Sequence, residues 1–169
     1  MKRKETTHIV IHTAAWPGDP DIEDIRRVHV DENGWSAVGY HYLIRKDGSI
    51  EKGRPEGNVG AHCRAGGMNR KAIGICCSGH GDISPFTVQQ VETLCSLVNV
   101  LRRRNSIDIA HVIGHREAGA AKTCPGTKID MNKLRAAIDE QEIIDGSWAD
   151  IKDYYTLAEQ KEFVSQKIS

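Results

Sequence analysis

The 169-residue chain has no excess of either charge: 23 lysines and arginines balance 23 aspartates and glutamates. Without a net positive field, bulk charge gives no route to nonspecific nucleic-acid or anionic-membrane binding, so no nucleic-acid partner is expected. The local run Arg102-Arg103-Arg104 fits the end of a helix, where cations meet the negative pole of the dipole. No stretch approaches the ~20 apolar residues of a membrane helix, so insertion is not expected. The start, "MKRKETTHIVIH", is basic but lacks the apolar region and small-residue cleavage site of a secretory signal, which points to synthesis in a reducing cytoplasm. No Cys-x2-Cys pair occurs, which removes the usual framework of a structural zinc module. The five cysteines are an odd number, and adjacent Cys76 and Cys77 would face opposite sides of a strand and bridge poorly. Cys63, Cys76, Cys77 and Cys95 therefore read as small apolar fillers. Internal repeats and low-complexity linkers are also absent.

What is present suits one globular domain with a real core. "HIVIH" (8–12) is a short β-branched run, a buried strand ending at His12. Asp19-Pro20 suits a helix start, Ile22, Ile25 and Val28 repeat at helical spacing, and Gly34 closes that helix. Residues 38–54 form a hairpin around the Asp47-Gly48 turn. "KAIGICCSG" (71–79) is another buried strand. Ser84-Pro85 opens a helix with Val88, Val91, Leu94, Val98 and Leu101 on one face. "IDIAHVIGH" (107–115) is a strand that delivers His115. Asp130 caps a last core helix with Met131, Leu134 and Ile138 inward. Alternating strands and helices predict an α/β sheet packed with helices over 1–144. Residues 145–169 form a helical tail, whose Ile151, Tyr154, Tyr155 and Ala158 would pack as a stripe on the core.

Three candidate metal ligands lie at strand ends or in the loop after one: His12, His115 and Cys124. Two imidazoles and one thiolate leave the fourth tetrahedral position to water, the catalytic arrangement of zinc. On spacing alone the alternative stays open, because a lone histidine at a strand end also serves as a satisfied core or surface residue. His111 and His115, four apart, would make a helical metal pair. The alternation of Ile107, Ile109, His111, Ile113 and His115 favours a strand and leaves His111 aside.

Four pieces in order, "IHTAAW", "IRRVHVDENGWSAVGYHYLIRKDGSIEKGRP", "VGAHCRAGGMNRKAIGICCSG" and "GHREAGAAKTCPG", resemble the type 2 N-acetylmuramoyl-L-alanine amidases. That group includes amidase-type phage lysozymes and animal peptidoglycan recognition proteins. The resemblance spans about residues 8–138 and implies a mixed central β-sheet flanked by helices. It implies one catalytic Zn2+ on His12, His115 and Cys124, and catalytic roles for Tyr40 in Val-Gly-Tyr-His and Lys122 in Lys-x-Cys-Pro-Gly. His62, in "GAHC", matches a loop histidine that lines the groove in relatives, which makes it a candidate substrate contact with a structural role as the alternative; Asn69 and Arg70 would order the loop before the central strand. The interval from His115 to Cys124 is one residue longer than the family's, an addition that the small residues of "EAGAAK" would absorb.

The implied substrate is the amide between N-acetylmuramic acid and L-alanine in peptidoglycan, cut by an endolysin or prophage lysis enzyme made in the bacterial cytoplasm and released to the wall. A cytosolic amidase recycling soluble muropeptides and a noncatalytic peptidoglycan-binding module are the alternatives, and Cys124 speaks against the latter. Some family members use a glutamate base. Glu117 and Glu51 match no such role and read as solvated surface carboxylates. His41 should face away from Tyr40 and stay outside the site.

Overall fold

A computed structural model describes residues 1–144, with side chains through Glu140. The tail expected at 145–169, with its apolar stripe, lies outside the described residues. The elements are β1 (His8–Thr13), α1 (Ile22–Arg26) running into a π-helical turn (Arg27–Glu32), β2 (Tyr42–Ile44), β3 (Ile50–Lys52), β4 (Ala72–Cys77), α2 (Val88–Asn105), β5 (Val112–Gly114) and α3 (Met131–Ile144). The strands form one mixed sheet in the order β3-β2-β4-β1-β5. β2, β4, β1 and β5 run parallel, and β3 returns antiparallel to β2.

Two-residue alternation divides the sheet into two functions. Ile9 and Ile11 of β1, with Ile73, Ile75 and Cys77 of β4, pack against Leu94, Leu97, Val98 and Leu101 of α2 and Leu134 and Ile138 of α3. The intervening residues face the other way. Val10 joins Cys63 and Met68 there, and Leu43 and Cys76 meet Ile25 of α1. Cys76 and Cys77 thus face opposite sides, and all five cysteines are free. His12 ends the second row, on the face away from the large core. Among the described residues no helix is long and apolar enough to cross a membrane.

Several local expectations shift. α1 starts at Asp21, whose carboxylate accepts from Asp24 N while the Asp24 carboxylate accepts from Asp21 N. Asp19 instead accepts from Arg45 and from the Lys46 N–H. α2 starts at Thr87, reciprocally capped with Gln90, rather than at Ser84-Pro85. Val88 is 69% exposed rather than core-facing. The inward position is taken by Gln90, whose amide donates to the Ile44 and Ser78 carbonyls and ties the helix start to β2 and β4. The strand expected over 107–115 shortens to β5, because Asp108 accepts from Ala110 N and winds Ile109–His111 into a tight turn. Asp130 caps α3 as expected, accepting from Asn132 N and Lys133 N.

Candidate metal centre

The sheet register brings two of the ligand candidates together. Ile11 of β1 pairs with Gly114 of β5, so the next residues, His12 and His115, leave adjacent parallel strands at their carboxyl ends. Their ring centroids lie 4.7 Å apart. Cys124 arrives on the loop after His115. One donor atom from each of His12, His115 and Cys124 lies within 4.8 Å of the others.

The donor set fits a tetrahedral zinc ion. Nitrogen and sulfur donors bound at ~2.05 and ~2.3 Å in tetrahedral geometry sit about 3.6 Å apart. The observed separation between His12 Nδ1 and Cys124 Sγ is 3.7 Å. Burial holds His12 well below the usual imidazole range, with His62 and His115 adding to the effect. His115 is lowered too, first by burial and then by Lys122. Both rings are therefore neutral at pH 7 and offer lone pairs. Burial pushes the Cys124 thiol up, while the Thr13 backbone, Lys122 and Arg116 pull it down toward the thiolate.

Arg116 is the residue that fixes this loop. Its backbone N–H donates to the Cys124 carbonyl at 2.8 Å. Its guanidinium donates to the carbonyls of Thr123 (3.1 Å), Gly126 (2.8 Å) and Ile129 (2.7 Å). One side chain next to His115 thereby holds both flanks of Cys124. Asp82 adds a second anchor, accepting from the Thr123 hydroxyl and the Thr127 N–H. Arg116 lies within the Gly-His-Arg motif, but nothing in the sequence indicates that its partners are three carbonyls of the cysteine loop.

Tyr40 stands beside the cluster, its ring 5.2 Å from that of His12. Burial first, then the Cys76 and Cys124 thiols, raise its phenol well above the ordinary value. Behind it, His29 of the π-helical turn accepts from Gly39 N at 3.1 Å and stacks on Trp35 at 4.6 Å. His29 carried no motif signal, because the extra residue of a π-turn sets its direction. Lys122 is exposed and shares with His115 the lining of an open cavity of about 600 Å³. Trp35, Arg64 and Asn69 line it as well.

His62 lies in the cavity wall but is only 8% exposed. Its Nδ1 is 3.0 Å from His12 Nε2. Burial and then His41 push it down to about 3. Asn69 orders the loop as expected, its side-chain oxygen accepting from His62 N and Cys63 N. His41 stays outside the ligand group. Its Nδ1 accepts from Gly74 N at 2.9 Å, which leaves Nε2–H to donate to the Asn58 carbonyl at 3.0 Å. The two glutamates are structural rather than simply solvated. Glu117 accepts from Gly114 N and from both terminal nitrogens of Arg135. Glu51 accepts from Ile22 N and Arg45.

With this geometry in place, residues 2–127 match the family model described as N-acetylmuramoyl-L-alanine amidase. The chain belongs to this amidase family. It is similar to an endolysin of Enterobacteria phage K11, 35% identical over 131 residues, 73% of this chain and 83% of that one. It is also similar to peptidoglycan-recognition protein SC2 of Drosophila melanogaster, 34% identical over 115 residues, covering 68% and 60% of the two chains. Among solved structures, amidase LysC from Clostridium intestinale superposes with a TM-score of 0.72 at 31% identity, covering 80% of this chain and 86% of that one. The family's fold is the mixed sheet with flanking helices described above, and its implied substrate is peptidoglycan.

Proposed function

We propose that the protein is a zinc-dependent amidase that hydrolyses the bond between N-acetylmuramic acid and L-alanine in peptidoglycan. It would be made in the bacterial cytoplasm and act on the wall after release, in the manner of an endolysin. The observation that carries this reading is the convergence of donor atoms of His12, His115 and Cys124 within 4.8 Å, His12 Nδ1 and Cys124 Sγ 3.7 Å apart, beside Tyr40 and with Lys122 on the adjoining cavity wall.

Amides are poor electrophiles, so their hydrolysis needs a strong nucleophile and stabilisation of developing charge. A zinc ion, when bound, supplies Lewis acidity and a water whose pKa falls to about 7. His12 and His115 present neutral nitrogen donors, and Cys124 presents a thiolate that tempers the acidity of the ion. Lys122 lines the cavity, where its ammonium would face the substrate carbonyl as that oxygen gains negative charge. A preorganised group of that kind is worth about 10²–10³ in rate. Tyr40 acts as a hydrogen-bond donor, because its raised phenol holds its proton at neutral pH. The cavity takes the substrate on either side of the scissile bond, with Trp35 offering an apolar surface and Arg64 a cationic one. The reading of His62 as a substrate contact finds support in its place in that wall. The retention of Cys124 weighs against a module that only binds.

The test is metal analysis of the full-length protein, with turbidity loss on purified walls before chelation, after it and after zinc is restored. One zinc per chain and activity that falls and returns with the metal are expected. Full activity in chelator, or in Cys124→Ser, overturns the reading. Faster cleavage of soluble muropeptides than of intact walls would assign the same chemistry to recycling.

A further inference from the structure

Resting on the metal reading of the His12 site, we infer that His62 is a positioning residue, whose Nδ1 accepts the His12 Nε2–H and so fixes which His12 nitrogen meets the ion. The two edges of the His12 ring have different neighbours. Nδ1 faces Cys124 Sγ at 3.7 Å, and Nε2 faces His62 Nδ1 at 3.0 Å. A nitrogen that donates its lone pair to a metal carries no proton, so the single proton of a neutral ring sits on the other nitrogen. The proton of His12 is therefore on Nε2, and His62 accepts it through Nδ1. His62 in turn carries its own proton on Nε2.

The fold is shaped around this contact. β4 carries Gly74 on the same sheet face as His12, opposite Val10 of β1. A Cβ on Gly74 would come within 2.5 Å of the His62 ring, and one on Gly60 would overlap the ring's far edge. Two glycines thus open the slot that the imidazole fills. Asn69 fixes the backbone at its base, accepting from the N–H groups of His62 and Cys63 at 2.7 Å each. The other ring nitrogen, Nε2, is buried without a well-aligned hydrogen bond among the described residues, and the Ala72 backbone beside the ring favours a proton on it. The contact with His12 is the side-chain hydrogen bond that the ring makes. A hydrogen-bonded partner on the distal nitrogen of a ligating histidine sets its tautomer and orientation, and loss of one typically costs 10–100-fold in metal affinity.

The test uses full-length His62→Asn, which keeps an acceptor near the Nδ1 position, and His62→Leu, which keeps the branched shape without it. Zinc affinity is read by competition with a chromophoric chelator, and coordination by the visible spectrum of the cobalt(II)-loaded protein. Expected are a ~10–100-fold loss and shifted cobalt bands in His62→Leu, with His62→Asn within about threefold of the wild type. Nitrogen NMR of the imidazoles in the zinc-loaded wild type needs no variant and should find His62 protonated at Nε2 alone. Undiminished zinc binding in His62→Leu, equal losses in both variants, or the opposite His62 tautomer each overturns the proposal while leaving the metal reading intact. A wild type that takes up no zinc overturns both.

Discussion

Replacing Arg116 by methionine removes the bonds that hold Cys124 in place without touching any of the three ligand candidates. The methionine stem keeps most of the packing, and the backbone bond from residue 116 to the Cys124 carbonyl survives. Three guanidinium bonds, to Thr123, Gly126 and Ile129, are lost. Thr123 is exposed and its carbonyl can turn to water, whereas Gly126 and Ile129 are buried. The net value of about 1 kcal/mol per bond is therefore a lower bound. The sum, about 3 kcal/mol, equals roughly two decades in the equilibrium between docked and undocked loop. The Asp82 anchors resist part of that change, so zinc affinity should fall ~10–100-fold. The assay pairs chelator competition with amide hydrogen exchange, which should accelerate across residues 123–129 and stay unchanged in β1 and β4. Arg116→Lys should recover little, since one ammonium cannot span three carbonyls. If Arg116→Met binds zinc like the wild type and exchange in the loop is unaltered, then Arg116 does not hold Cys124 and the reasoning fails.

Lys122→Ala should retain its zinc and lose about 10²–10³ in kcat on wall fragments; a variant that loses zinc together with activity would place the lysine in loop structure instead. Tyr40→Phe should likewise keep the metal and lose activity, and an unchanged kcat would remove the phenol from the reaction. His41 gives a pH prediction for the chelated protein. Burial is the main cause holding it at about 4, with Asn58 and Glu56 opposing and Arg3 and Arg54 assisting. A folded-state value below the ordinary 6.5 means that the neutral-ring stability is fully present above pH 6.5 and is lost as pH falls toward 4. By pH 5 the loss is about 2 kcal/mol, measurable by urea unfolding. His41→Asn should lessen the measured slope by one proton's share, leaving that of His12, His62 and His115, and an unchanged slope would refute the assignment.

How much of this was legible in the sequence depends on the range of the interaction. The β-branched run 8–12, the run 71–79 and the Asp47-Gly48 turn announced β1, β4 and the hairpin, because two-residue alternation and turn chemistry are local. His12, His115 and Cys124 were found by motif, and sheet register explains why the first two are neighbours. Helix starts were misplaced where two cap candidates stood close together. Asp21 and Asp24 cap each other, as do Thr87 and Gln90, while Asp19 was taken by Arg45 from across the hairpin. Val88 was misplaced because a polar side chain, Gln90, held the inward position through bonds to two strands. Arg116 and His29 could not be found, since one is set by carbonyls further along its own loop and the other is aimed at Gly39 N and Trp35 by a π-turn, neither of which a local residue pattern encodes. For His62 the sequence pointed to the right place, but the direction of its ring depends on the spaces left by Gly60 and Gly74.

Gly81 and Gly126 meet backbone to backbone, so closely that a Cβ on either would collide with the other's segment. The end of the loop that follows Cys124 is thereby welded to the turn after β4, whereas Gly119, at its far bend, has open space around it. Length variation in this loop can be accommodated at its outer bend without dislodging the sulfur. Designers wishing to graft a longer lip onto this groove should insert between residues 118 and 121 and leave the Gly81–Gly126 weld alone.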